Sequence, residues 1–195
     1  MKKKITSMMI IGVMISALLA QSTVWEFDMA HSKISFVVDH MVISQVEGRF
    51  DSFTGSVISD KSDFSDVKTE IVIDPKTIDT DNERRDGHLR SPDFFDADKF
   101  PEIRFVSTSV RKTGNETYLL TGDFTMHGVT KKIELDVKHH GTIKDPRGNT
   151  RAGFKVTGTI DRKEWGLVYN SIMDTGGVMI GEDIEIVGNI ELVKK

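Results

Sequence analysis

The stretch Ile34-Ser35-Phe36-Val37-Val38-Asp39-His40-Met41-Val42 sets Ile34, Phe36, Val38, His40 and Val42 against Ser35, Val37, Asp39 and Met41. Side chains of an extended chain point alternately to opposite faces, so this period of two marks a half-buried strand. Val67, Thr69, Ile71 and Ile73 repeat the pattern, and further runs follow at 48–58, 103–111, 117–125, 132–143, 151–160 and 183–193. Between them lie Lys112-Thr113-Gly114-Asn115, Met126-His127-Gly128-Val129 and Lys144-Asp145-Pro146-Arg147-Gly148-Asn149, whose Gly, Asn and Asp accept the positive φ of tight hairpins. About eight such strands joined by short turns read as an antiparallel meander. A sheet of that size splits into a sandwich or closes into a barrel whose interior holds one small ligand. No repeat, Pro-rich linker or low-complexity tract interrupts it, so residues 23–195 read as a single all-β domain.

Two segments break the meander, and loops of such length in a compact domain usually carry function or structure of their own. In residues 74–101, Thr80 with Glu83 three positions on forms a capping-box signature, and Ser91-Pro92-Asp93 gives a second helix start with Pro at its first position. Two short helices carrying Leu89, Phe94, Phe95 and Phe100 are expected there. In residues 166–181, Leu167, Val168, Ile172, Met173, Val178, Met179 and Ile180 lie among glycines, the pattern of a pliable, partly apolar flap.

At the N-terminus, Lys2, Lys3 and Lys4 precede an uncharged run from Ile5 to Ala20, the order of a secretory signal. The run is short for a membrane span. Cleavage is expected near residues 20–22, which makes 1–22 a signal peptide and the product periplasmic or secreted. The chain has no cysteine, which excludes disulfides and a thioether lipid anchor. Three of its 26 Lys+Arg fall in the signal, so the remainder, with 30 Asp+Glu, is distinctly acidic and ill-suited to nucleic acid.

Several motifs occur in order: Trp25 with Asp28, His31-Ser32-Lys33-Ile34-Ser35-Phe36, Gly48-Arg49-Phe50 with Phe53, Arg85-Asp86-Gly87-His88-Leu89, Ser91-Pro92-Asp93-Phe94-Phe95-Asp96, Phe100-Pro101-Glu102-Ile103, Gly122-Asp123-Phe124-Thr125-Met126-His127-Gly128 and Ile160-Asp161-Arg162-Lys163-Glu164-Trp165-Gly166. Together they resemble the YceI-like family of bacterial periplasmic proteins over nearly all of residues 23–195. The resemblance implies an extended eight-stranded antiparallel β-barrel, lipocalin-like, with a short helical insertion. It also implies an apolar tunnel that binds a long-chain isoprenoid, either a quinone or a prenyl phosphate, or another amphiphile. It implies no enzymatic activity and no covalent cofactor, and contact with a membrane only in passing.

The tunnel is expected to be lined by Ile34, Phe36, Val38, His40, Phe50, Phe53, Ile71, Ile73, Leu89, Phe94, Phe95, Phe100, Ile103, Phe105, Leu120, Phe124, Phe154 and Trp165. Any one of these phenylalanines also makes sense as plain core. For a head group, Arg84, Arg85, His88 and Arg90 cluster in the insertion, and backbone N–H groups at a helix start near Ser91 would add donors for an anion. Arg85, Asp86 and His88 are the leading candidates. The alternatives are a charged loop in which Arg85 pairs with Asp86, or residues that only hold a lid.

The residue types of a hydrolase triad occur in Asp28, His31 and Ser32, but groups so close on an extended segment rarely converge, and no Gly-x-Ser-x-Gly turn is present. His139 and His140 are adjacent on a strand and so face opposite ways, and no zinc pattern occurs. Arg162 reads as an anchor tying a loop to the barrel. Rival readings are a scavenger of hydrophobic compounds such as lipophilic antibiotics, a lipid head-group enzyme, and a ligand-free interaction module with a filled barrel. Exposed barrel ends would suit a homodimer.

Overall fold

Alternation turns into strands throughout the chain, and a computed structural model describes residues 22–171 and 178–195. The signal assignment therefore lies outside the described residues except for Ser22, as do Ile172 and Met173 of the flap. Among the described residues the strands are β1 (Val24–Phe27), β2 (Lys33–His40), β3 (Ser44–Phe50), β4 (Phe53–Ile58), β5 (Lys68–Ile73), β6 (Ile78–Asp79), β7 (Ile103–Lys112), β8 (Thr117–Met126), β9 (Val129–Lys144), β10 (Thr150–Asp161) and β11 (Ile180–Lys194), with one α-helix, α1 (Glu83–Arg90).

All pairings are antiparallel, and the order β1-β4-β5-β7-β8-β9-β10-β11 closes because β1 also pairs with β11. β2, β3 and β6 extend the β11 side upward as a continuation of the same wall. The result is a closed eight-stranded barrel. The 48–58 run is split by a break at Asp51-Ser52, and β1, which has too few residues to show alternation, supplies the closing strand.

The period of two places the core. Along β8, Tyr118, Leu120, Phe124 and Met126 are buried, and Gly122 takes the remaining inward position because the Phe105 ring fills the space a Cβ would need, at 2.4 Å. The expected 126–129 turn forms with His127 at φ 50° and Gly128 at φ 76°, the double positive φ of the tightest hairpins. β2 ends at His40, earlier than its alternation suggests. Met41 and Val42 instead turn the β2–β3 hairpin at φ 53° and 63°, and Val42 and Ile43 are exposed.

The insertion departs from its expected form. The helix is capped by Asn82, whose side chain accepts from Arg85 N at 3.0 Å, rather than by Thr80. Thr80 is unavailable because the Asp86 carboxylate already binds it. No second helix starts at Ser91. Residues 91–99 form successive turns in which Phe95 N–H bonds to Leu89 O and Ala97 N–H to Arg90 O, folding the chain back onto α1.

The lower part of the barrel is tied by Arg151 of β10, whose guanidinium bonds Asp28, Asp145 and Glu191. Arg151, then His31, pull the Asp28 carboxyl from 3.8 down to about 2. A carboxylate whose pKa is depressed by folding contributes stability that is fully present above its ordinary pKa and is lost as pH falls toward the folded value. Stability should therefore decline between about pH 4 and pH 2. Arg151→Met should flatten that decline in urea titrations run across the window; an unchanged slope would remove this network from the account.

Candidate functional site

Inside the barrel lies a cavity of about 140 Å³ whose wall is apolar throughout. Ile34, Ile71, Ile73, Phe105, Leu120, Phe124 and Phe154 of the expected tunnel set line it. They are joined by Phe27, Val57, Val67, Val110, Tyr118, the β9 residues Ile133, Leu135 and Val137, Val156, and Ile186, Gly188, Ile190 and Leu192 of β11. Most of these additions continue the same alternation on the later strands, so period two would have found them. Phe64 had no such signal, because it sits in the loop between β4 and β5 at φ 56°. Only 2% exposed, it closes the lower end against Trp25, Phe154 and His139 at ring separations of 5.0, 4.8 and 5.2 Å.

Phe36, Val38, His40, Phe50, Phe53, Leu89, Phe94, Phe95, Phe100, Ile103 and Trp165 do not line this cavity. The reason is their position along the barrel axis, nearer the insertion, where they pack on one another. Phe36 lies over Gly48 and 5.8 Å from Phe50, Phe50 meets Phe95 at 5.9 Å, and Leu89 and Phe95 pack on the same core as Phe53, Ile103 and Trp165. Val38 and His40 sit higher still on β2, opposite Val46 and Ser44. Phe94 is buried beside His88 and Tyr169, and Phe100 packs on His127 at 4.6 Å.

Two of the head-group candidates, Arg85 and Asp86, face the protein. Asp86, buried, accepts from the Thr80 backbone N at 2.9 Å and from its hydroxyl at 2.5 Å, while Arg85 donates to Thr80 Oγ1 at 2.7 Å and to Thr80 O at 2.6 Å. Arg85 and Asp86 thus meet on Thr80 and clamp α1 to β6. His88 lies 2.9 Å from Asp93 on the outer surface, with its ring against Phe94 and Tyr169. Asp86→Ala should leave two buried donors of Thr80 without a partner, at about 2 kcal/mol. A thermal midpoint lower by several degrees with tail affinity unchanged is the expected outcome; lost affinity in a fully folded variant would restore Asp86 as a ligand contact.

Arg162, 3% exposed, donates to the carbonyls of Leu167 and Tyr169 and, by Nε at 2.8 Å, of Gly181. It gathers both ends of the flap onto the barrel, and burial pushes its pKa down. Trp165 Nε1 bonds Phe124 O at 3.2 Å.

No triad forms around His31. Its Nδ1 lies 3.0 Å from Asp28, but Ser32 donates to Glu191 O instead. Asp28, His31 and Glu191 bring ligand atoms within 4.8 Å of one another, yet the Arg151 guanidinium bonds both carboxylates and already supplies the positive charge. His139 is buried and stacked on Phe154, burial pushing its pKa down, while His140 is exposed on the other face.

The YceI-like domain model matches residues 25–192. A UPF0312 protein of Staphylococcus aureus strain USA300 is 41% identical over 170 residues, covering 87% of this chain and 96% of its own. Among solved structures, a Campylobacter jejuni YceI protein superposes with a TM-score of 0.70 at 30% identity, over 80% of this chain and 90% of its own. Burkholderia cenocepacia BcnA does so with a TM-score of 0.72 at 22% identity, over 85% and 99%. A Saccharophagus degradans domain described as polyisoprenoid-binding matches with 0.62 at 15% identity, over 88% and 98%. With a family match across the whole barrel and a relative that shares two residues in five, the chain belongs to the YceI-like family.

Proposed function

We propose that this protein binds an isoprenoid lipid by its tail inside the barrel, and that it is an exported carrier or store for that lipid in the periplasm or outside the cell. The observation that carries the reading is a closed barrel around a cavity whose exposed wall is almost wholly apolar. Such a wall recognises hydrocarbon by removing it from water, at about 0.8 kcal/mol per methylene. The structural likeness to a polyisoprenoid-binding domain supports the ligand class. The basic and apolar segment at residues 2–20 supports export, since an isoprenoid tail crosses an aqueous compartment only inside a container.

The test is organic extraction and mass spectrometry of the purified protein, followed by reloading with a quinone and with a prenyl phosphate. Co-purified or reloaded isoprenoid is expected; protein that carries none and takes up neither overturns the reading. A second reading, a scavenger of hydrophobic compounds, is favoured by the same unpolarised wall, which discriminates poorly between tails. Competition with chemically unrelated hydrophobes separates the two, because a scavenger accepts them with similar affinity. A binding role without catalysis is the reading for the rest of the chain, tested by the absence of head-group turnover in the loaded protein.

A further inference from the structure

The barrel wall is not uniform. β5 pairs with β7 only from Glu70↔Val106 to Ile73↔Ile103, while β7 runs on to Lys112 with β8 alone as its partner. The register on β7 slips between Ser107 and Ser109, so the strand turns away from β5 at the point where the ladder stops. The next rung is made by a side chain: Thr69 N–H donates to Ser107 Oγ at 2.9 Å. Over this gap lies a surface groove of about 410 Å³, and Val67, Thr69 and Val110 line both that groove and the apolar cavity.

We propose that this gap between β5 and β7 is a lateral portal through which the amphiphile passes, its tail in the cavity and its head held in the outer groove. The proposal rests on the lipid-binding reading and deepens it. Between β7 and β8, β8 and β9, β9 and β10, and β10 and β11, passage through the wall must break a long run of backbone hydrogen bonds. Here one hydroxyl contact closes the lip, and Val67, Thr69 and Val110 face both the groove and the cavity.

The groove also constrains the head. Its charged residues are Asp66, Lys68 and Glu70, with Glu70 bonded to Arg104 at 2.6 Å and Asp66 held by Ser59 at 2.6 Å. Acid on both sides of the single lysine disfavours a phosphate. The hydroxyls of Ser56 and Ser109 suit a neutral head that accepts hydrogen bonds, such as a quinone ring.

The test is a reversible staple. Thr69 and Ser107 stand at the next rung after Glu70↔Val106, and opposed residues on antiparallel strands have the separation a disulfide spans. The chain has no cysteine of its own to interfere. The variant Thr69→Cys/Ser107→Cys is studied reduced and oxidised, with a two-isoprene ubiquinone as probe, followed by quenching of tryptophan fluorescence. Oxidation should slow uptake and release at least tenfold, and reductant should restore the rates. Equal rates in the two states overturn the portal. A reduced protein that binds no probe overturns the lipid-binding reading itself, and the portal with it. Should the disulfide fail to form, Thr108→Trp, which overhangs the groove, gives the same comparison against the parent, with slowed exchange supporting the portal and unchanged exchange overturning it. Farnesyl phosphate competing as well as the quinone overturns the neutral-head assignment.

Discussion

Gly188→Phe should abolish lipid uptake while leaving the barrel folded. Gly188 lies on β11 between Ile34 of β2 and Val156 of β10, and its backbone forms part of the cavity wall. A Cβ there comes 3.2 Å from Val156 Cβ, a distance a small shift relieves. The ring then enters a cavity of about 140 Å³, and apolar cavities of about this size hold a benzene molecule. The added side chain takes the place of the ligand's tail. Excluding some five methylenes at about 0.8 kcal/mol each removes about 4 kcal/mol, a loss of affinity near a thousandfold. Overpacking costs about 1–3 kcal/mol, so a thermal midpoint lowered by several degrees is the accompanying result. Mass spectrometry of extracted variant and parent reads the first effect and a melt reads the second. A folded variant that retains its lipid would put the tail elsewhere.

Phe64→Ala should produce the largest loss of stability and change which tails fit. Phe64 plugs the lower end from a loop, touching Trp25, His139 and Phe154, and truncating a buried Phe costs about 3–5 kcal/mol. In a domain of this size that lowers the midpoint by about 10 °C. The opened end lengthens the cavity, so affinity should shift toward longer isoprenoids when a series of quinones of increasing tail length is compared. The His139 pKa, now held down by burial, should rise toward its ordinary value, as NMR titration of the ring would show. A variant with the parent's midpoint would mean that the loop does not close the barrel.

The strands were legible because alternation is a local property. Lys132 to Ile143 and Asp183 to Val193 announce their inward faces without knowledge of any partner, and so does the 126–129 turn. The insertion was legible only as an insertion. Its helix cap moved from Thr80 to Asn82 because Asp86 and Arg85 both reach back to Thr80 in the link between β6 and α1, a side-chain contact that the capping-box spacing does not encode. The same contact turned two head-group candidates into a clamp. Arg162 was legible as an anchor, since a lone arginine where strand regularity ends has to be satisfied by a loop.

By itself the alternation determined an antiparallel all-β fold with one apolar face, because a period of two over that many strands has to bury one side, while the choice of a barrel over a sandwich rested on the family resemblance. What it left open was height along the barrel axis. Phe36 and Phe105 show the same alternation, yet one lies in the packed upper end and the other on the cavity wall, and only the register of β2 on β3 and of β7 on β8 sets them apart. The plug by Phe64 and the unpaired margin between β5 and β7 likewise belong to tertiary structure. Both arise where a ladder stops and a loop or side chain takes its place, and the partner that decides the outcome is distant in sequence.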